Sequence, residues 1–94
     1  VEPEEDFNKL YAYPNPVHPT YRGYITIKGL MADTEVRILD ASGNLVKILN
    51  SQGGAAIWDG NNTQGQRVAS GVYTAICNTK SGSNHNSVKI LILN

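Results

Sequence analysis

A chain of 94 residues with eight basic side chains against eight acidic ones and one Cys has room for one small domain. Such a domain buries roughly 60–70% of the surface its unfolded chain exposes, which leaves little for a deep catalytic pocket. Zero net charge excludes an overall electrostatic grip on nucleic acid or acidic lipid, one Cys closes no internal disulfide, and no apolar run reaches the ~20 residues of a membrane span.

Glu2, Glu4, Glu5 and Asp6 hold half of the acid within the first six residues. A carboxylate cluster beside Pro3 does not pack, so Val1 to Asp6 read as solvated chain, and residues 1–10 as an acidic linker. The module proper is expected over residues 11–94. No secretory apolar stretch opens the sequence, as expected of a mature fragment, a domain cut from something longer, or a cytosolic chain. Pro14, Pro16 and Pro19 then exclude a helix and leave an extended edge segment, in which Asn15 is expected to satisfy nearby backbone with its side-chain amide.

From Gly23 onward, Gly, Asn, Asp and Ser mark turns at short intervals, and no stretch between them is long enough for an ordinary helix. The intervening runs alternate. Tyr24 to Lys28 places Ile25 and Ile27 on one face, and Thr34 to Asp40 places Val36 and Ile38 opposite Arg37. Asp40-Ala41-Ser42-Gly43-Asn44 reads as a hairpin turn. Leu45 to Leu49 offers either face, and Gly54 to Trp58 brings in Ile57 and Trp58. Val72 to Asn78 turns Tyr73, Ala75 and Cys77 inward, and Val88 to Leu93 sets Val88, Ile90 and Ile92 against Lys89, Leu91 and Leu93. The fold class is all-β, an immunoglobulin-like β-sandwich of about seven short antiparallel strands. Ser70-Gly71-Val72-Tyr73 is similar to a tyrosine corner, with the Tyr hydroxyl bonded back to nearby backbone.

Catalytic chemistry finds little support. His18 lies in the Pro-rich segment, His85 in a Ser/Asn/Gly turn, and Cys77 mid-strand as a buried structural thiol. The run Asp59 to Gly65 is rich in oxygen but has one carboxylate, so its side chains are expected to bond their own loop and hold no metal. Arg22, Lys28, Arg37, Lys47, Arg67 and Lys89 are scattered, which disfavours nucleic acid. Two binding surfaces stand out. Tyr11, Tyr13, Tyr21 and Tyr24 gather near the amino end, with Tyr21 and Tyr24 the candidates to stack on a saccharide. Leu91 and Leu93 share the face that Lys89 marks as wet, so either this strand is fully buried within the domain, or Lys89, Leu91 and Leu93 are docking candidates, through a free strand edge or through their side chains.

Five motifs occur in order: Tyr13-Pro14-Asn15-Pro16, Val36-x-Ile38-x-Asp40-x-x-Gly43-x-x-Val46, Trp58-Asp59-Gly60, Gly65-x-x-Val68-Ala69-Ser70-Gly71-Val72-Tyr73, and Val88-Lys89-Ile90. In these the chain resembles the C-terminal immunoglobulin-like module of the flagellar hook-capping and type IX (Por) secretion sorting group. Gly29-Leu30-Met31 ahead of Thr34 is most similar to the tail of propeller-bearing Por secretion-system proteins of Bacteroidetes. The resemblance marks Asn15, Trp58, Asp59, Gly60, Gly71 and Tyr73 as structural positions. It implies a non-catalytic module of a larger exported surface protein, acting in type IX secretion or sorting, or retained as a docking module at the outer membrane. Sorting domains finish on a basic residue where this chain has Asn94, and Trp-Asp-Gly is more typical of the hook-capping side, which together favour retention. The partners implied are secretion-machinery or outer-membrane proteins and upstream domains, without a cofactor or membrane insertion, at the cell surface, outer membrane or periplasm. A carbohydrate-binding module for surface glycan, or a scaffold packed on an upstream β-propeller, is the alternative.

Overall fold

The computed structural model describes residues 2–21 and 23–93. Val1 of the linker, Arg22 among the scattered cations and Asn94 at the last position lie outside the described residues. Seven strands follow in order: β1 (Tyr11–Tyr13), β2 (Ile25–Lys28), β3 (Thr34–Leu39), β4 (Leu45–Asn50), β5 (Ala55–Trp58), β6 (Gly71–Thr79) and β7 (His85–Ile92). They form a three-stranded sheet, β1-β2-β5, and a four-stranded sheet, β4-β3-β6-β7, with every strand pairing antiparallel. The chain is therefore all-β, an immunoglobulin-like sandwich.

Period-two alternation builds the core. Ile25, Ile27 and Trp58 of the smaller sheet face Val36, Ile38, Tyr73, Ala75, Cys77, Ile90 and Ile92 of the larger one. Each large apolar side chain so buried contributes about 1.5–3 kcal/mol relative to exposure. The Trp58 and Tyr73 rings meet at 5.7 Å and 60°, a tilted contact across the two layers. In the β3–β4 turn the Asp40 carboxylate accepts the N–H groups of Ser42 and Asn44, each at 2.9 Å. Those bonds, that from Asn44 first, hold its carboxyl below the usual carboxylate range.

Three features differ from the reading of the sequence. The first is β4, whose face alternation is broken by a bulge. Ile38 pairs with Lys47 but Leu39 pairs with Leu45, so Val46 is the extra residue. Leu49 consequently points inward, Leu45 outward, and Lys47 turns toward the layer interface, where its Nζ lies 3.5 Å from Asp59 Oδ2. The second is β7, which begins at His85 and not at Val88. Thr79 and Asn84 close the preceding turn, with Thr79 N–H donating to Asn84 C=O at 3.0 Å, so pairing with β6 starts at Asn78–His85. The third is the stretch before β1. Phe7 is 5% exposed within the core, Glu4 N–H donates to Leu30 C=O at 2.8 Å, and Asn86 Nδ2 donates to Phe7 C=O at 3.3 Å. Glu2, Pro3, Glu5 and Asp6 are exposed, while the backbone of Glu4 and the buried Phe7 ring tie the acidic stretch to the module: one aromatic side chain supplies enough apolar burial to hold it there.

Candidate functional site

The segment after β1 crosses from one sheet to the other. β1 pairs with β2, and Val17 then forms a parallel bridge to Ile92. Val17 N–H donates to Leu91 C=O and Leu93 N–H donates to Val17 C=O, both at 2.8 Å. Asn15 extends this seam with its side chain: its Nδ2 donates to Lys89 C=O at 2.8 Å and its Oδ1 accepts the Leu91 N–H at 3.0 Å. Asn15 thus bonds distant backbone and not its own neighbourhood, because the flanking prolines offer no N–H of their own. The main-chain edge along residues 89–93 is occupied, so the expectation of a free strand edge there does not hold.

The side chains of the docking candidates are a separate matter. Leu91 is 38% exposed, Lys89 is exposed, and Leu93 is half-buried. Lys89 and Leu91 stand on the outward face of the four-stranded sheet, beside Thr74 and Val72 in register on β6. The apolar surface there extends further than the sequence reading had it. Val72, Leu45 and Ile48 are 42%, 51% and 42% exposed, with Leu39 and Ile76 half-buried between them. Arg37 Nε donates to Glu35 Oε1 at 2.7 Å on the same face, a screened pair that adds little stability and leaves the face nearly neutral. Outward alternation of Val72, Thr74 and Ile76 was the sequence signal for this surface. Leu45 and Ile48 carried no such signal, because the bulge at Val46 decides which way they point.

The tyrosines divide between two roles. Tyr24 is 64% exposed, while the half-buried Tyr21 donates its hydroxyl to Tyr24 C=O at 2.6 Å and so orders the loop beneath Tyr24. Tyr11 and Tyr13 share the outward face of β1 with ring centroids 5.8 Å apart at 24°, and Lys28 Nζ lies 5.6 Å from the centre of the Tyr13 ring.

The remaining marked residues are structural in their contacts. Trp58 Nε1 donates to Asn61 C=O at 2.9 Å, Asp59 Oδ1 accepts the Asn61 N–H at 3.0 Å, and Gly60 turns the loop with φ 78°. Asn62 Oδ1 accepts the N–H groups of Gln64 and Gln66, so the oxygen-rich run is spent on its own backbone. Tyr73, two residues beyond Gly71 at the head of β6, donates its hydroxyl to Ala69 C=O at 2.6 Å. Burial first, then the nearby charge of Asp40, raises its phenol above the ordinary value. Cys77 is fully buried, and burial pushes its thiol up to about 12, so it keeps its proton at neutral pH. His18 and His85 are exposed. Among the described residues no three His, Cys, Asp or Glu are grouped to hold a metal ion.

Residues 20–83 match the FlgD Ig-like domain family. No curated protein matches the chain. Among solved structures, the chain is similar to PorZ, an essential bacterial surface component of the type IX secretion system of the human oral bacterium Porphyromonas gingivalis, with 30% identity and a TM-score of 0.85. That similarity covers 95% of this chain and 12% of PorZ, so the chain spans a small part of its relative's length. With more than half its residues matched, the chain belongs to the FlgD Ig-like domain family.

Proposed function

We propose that this FlgD Ig-like domain is a non-catalytic docking module of a longer exported surface protein working with the type IX secretion apparatus. Contact would run through the outward face of its four-stranded sheet. The observation that carries this reading is the exposed apolar surface formed by Leu45, Ile48, Val72 and Leu91, with Lys89 at its border. Surfaces of this kind mark interaction sites when they lie together on one face. The similarity to part of PorZ supports a secretion-associated setting at the cell surface, outer membrane or periplasm. Its partners there would be secretion-machinery or outer-membrane proteins, or an upstream domain of the same chain such as a β-propeller.

The test uses the full-length protein in its own cells. Trimming the last five residues is a poor probe, since it removes Ile90 and Ile92, which are fully buried. Replacing Leu91 by Glu together with Val72 by Lys alters only outward side chains. Loss of surface delivery of type IX cargo, with the domain still folded, is the expected result; normal delivery would reject the reading.

A second reading, surface glycan binding, has one observation in its favour, the 64% exposure of the Tyr24 ring. Saturable binding on a glycan array that disappears in Tyr24→Ala and Tyr21→Ala would favour it. The absence of such binding removes it.

A further inference from the structure

The two sheets are bridged differently along their two sides. Along β1 and β7, residues 15–17 fill the seam. Along β4 and β5, the described residues make only the tight turn Gln52–Ala55 and the Lys47–Asp59 pair.

Backbone parity shows what that second side presents. Ser51 N–H donates to Thr34 C=O at 2.9 Å, so Leu49 and Lys47 also turn their backbone groups toward β3. The N–H and C=O groups of Ile48 and Asn50 therefore point away from the sheet. On β5, Gln52 and Ala55 exchange bonds of 2.8 and 3.4 Å, which turns Ala55 away from β2, and Ile57, two residues on, turns the same way. A groove lined by Asn50, Gln52, Ala55, Ala56 and Ile57 lies beside these groups. Ile57 of its lining is 49% exposed, and Ile48 on the outward face of β4 is 42% exposed.

We propose that this open side binds one extended peptide segment of another protein, which adds to β4 as a further strand. Outward N–H and C=O groups alternating at strand spacing are matched in direction and spacing by another extended backbone, which can replace the water on them. The occupant is a single chain and not a second copy of this domain, because two copies would face groove against groove and fill neither. Its side chains alternate, one set covering Ile48, the other entering the groove over Ala55 and Ala56. Small alanines there let a backbone come close. The bulge at Val46 and the inward Lys47 protect the first half of β4 from indiscriminate pairing, which confines addition to the stretch from Ile48 onward. The Ile48 side chain is shared with the docking face proposed above, but the main-chain edge of Ile48 and Asn50 and the groove beside β5 lie beyond that face; Asn50→Pro tests them and Leu91→Glu does not touch them.

The experiment selects random dodecapeptides on the 94-residue chain, then measures the enriched peptides by titration calorimetry and amide hydrogen exchange. Enriched sequences should alternate apolar residues and lack Pro, and their binding should slow exchange at Ile48 and Asn50. Asn50→Pro removes an outward N–H without touching the β3–β4 ladder, and Ile48→Lys changes only an exposed side chain; each should weaken binding at least tenfold. Leu91→Glu should leave it unchanged. No enriched peptide, affinity that survives both edge variants, loss of binding in Leu91→Glu, or self-association through β4 in sedimentation would each overturn the proposal.

Discussion

Asn15 and Leu91, far apart in sequence, are joined by a bond that resembles strand pairing: the Oδ1 of one accepts the main-chain N–H of the other at 3.0 Å. The same amide donates to Lys89 C=O at 2.8 Å, so one side chain serves two backbone groups that a neighbouring strand would otherwise meet. Asn15→Ala removes both bonds at a site open to water, and should cost about 1 kcal/mol, or a fall in Tm on the order of 4–8 °C for a domain of this size. Amide exchange should quicken at Leu91 before it does at Ile90. Unchanged exchange at Leu91 would contradict this role for Asn15.

Tyr73→Phe keeps the ring against Trp58 and removes only the hydroxyl that donates to Ala69 C=O at 2.6 Å. The carbonyl left behind is partly buried, so the expected loss is about 1–2 kcal/mol in urea unfolding, with near-unchanged tryptophan fluorescence in the folded state.

Gly29 and Gly43 both adopt positive φ, at 82° and 85°, yet a side chain would meet very different surroundings at each. A Cβ at Gly43 meets nothing within 4 Å, whereas at Gly29 it would come within 2.3 Å of the Lys9 carbonyl oxygen. Gly43→Ala should therefore cost only the left-handed backbone penalty, about 1–2 kcal/mol. Gly29→Ala should cost clearly more and should loosen residues 4–10, read as faster amide exchange at Glu4. Equal costs at the two positions would show that the chain before β1 is not held against Gly29.

Cys77 gives a prediction in pH. Its thiol is pushed up to about 12 in the folded chain from an ordinary value of 9.0, so the unfolded chain ionises first as pH rises. Its contribution to stability is intact below pH 9 and is lost progressively between pH 9 and about 12. Cys77→Ala should flatten the alkaline fall of stability across that window relative to the parent chain. At pH 8 a thiol reagent should label the parent chain only when urea is added.

What was legible in the sequence was whatever depends on local alternation. Ile25 and Ile27, Val36 and Ile38, and Tyr73, Ala75 and Cys77 each sit on the face that a two-residue period assigns them. That period fails at β4, where a single extra residue at Val46 sends Leu45 outward and Lys47 inward. No local pattern marks such a bulge, because its cause is the partner strand. The outward apolar surface was legible only in its β6 and β7 parts for the same reason. Asn15 was expected to satisfy nearby backbone, although its partners lie on the last strand, and the hold on residues 4–10 rests on the long-range burial of Phe7.

The parallel bridge between Val17 and Ile92 has a mechanical consequence. A segment close to the start of the fold runs alongside its final strand in the same direction, so tension applied at the two ends pulls them past one another. The bonds Val17–Leu91 and Leu93–Val17, together with those of Asn15, then share the pull as a group and do not open singly, as they would in a zipper. A domain tied in this way should yield late when a longer chain containing it is stretched.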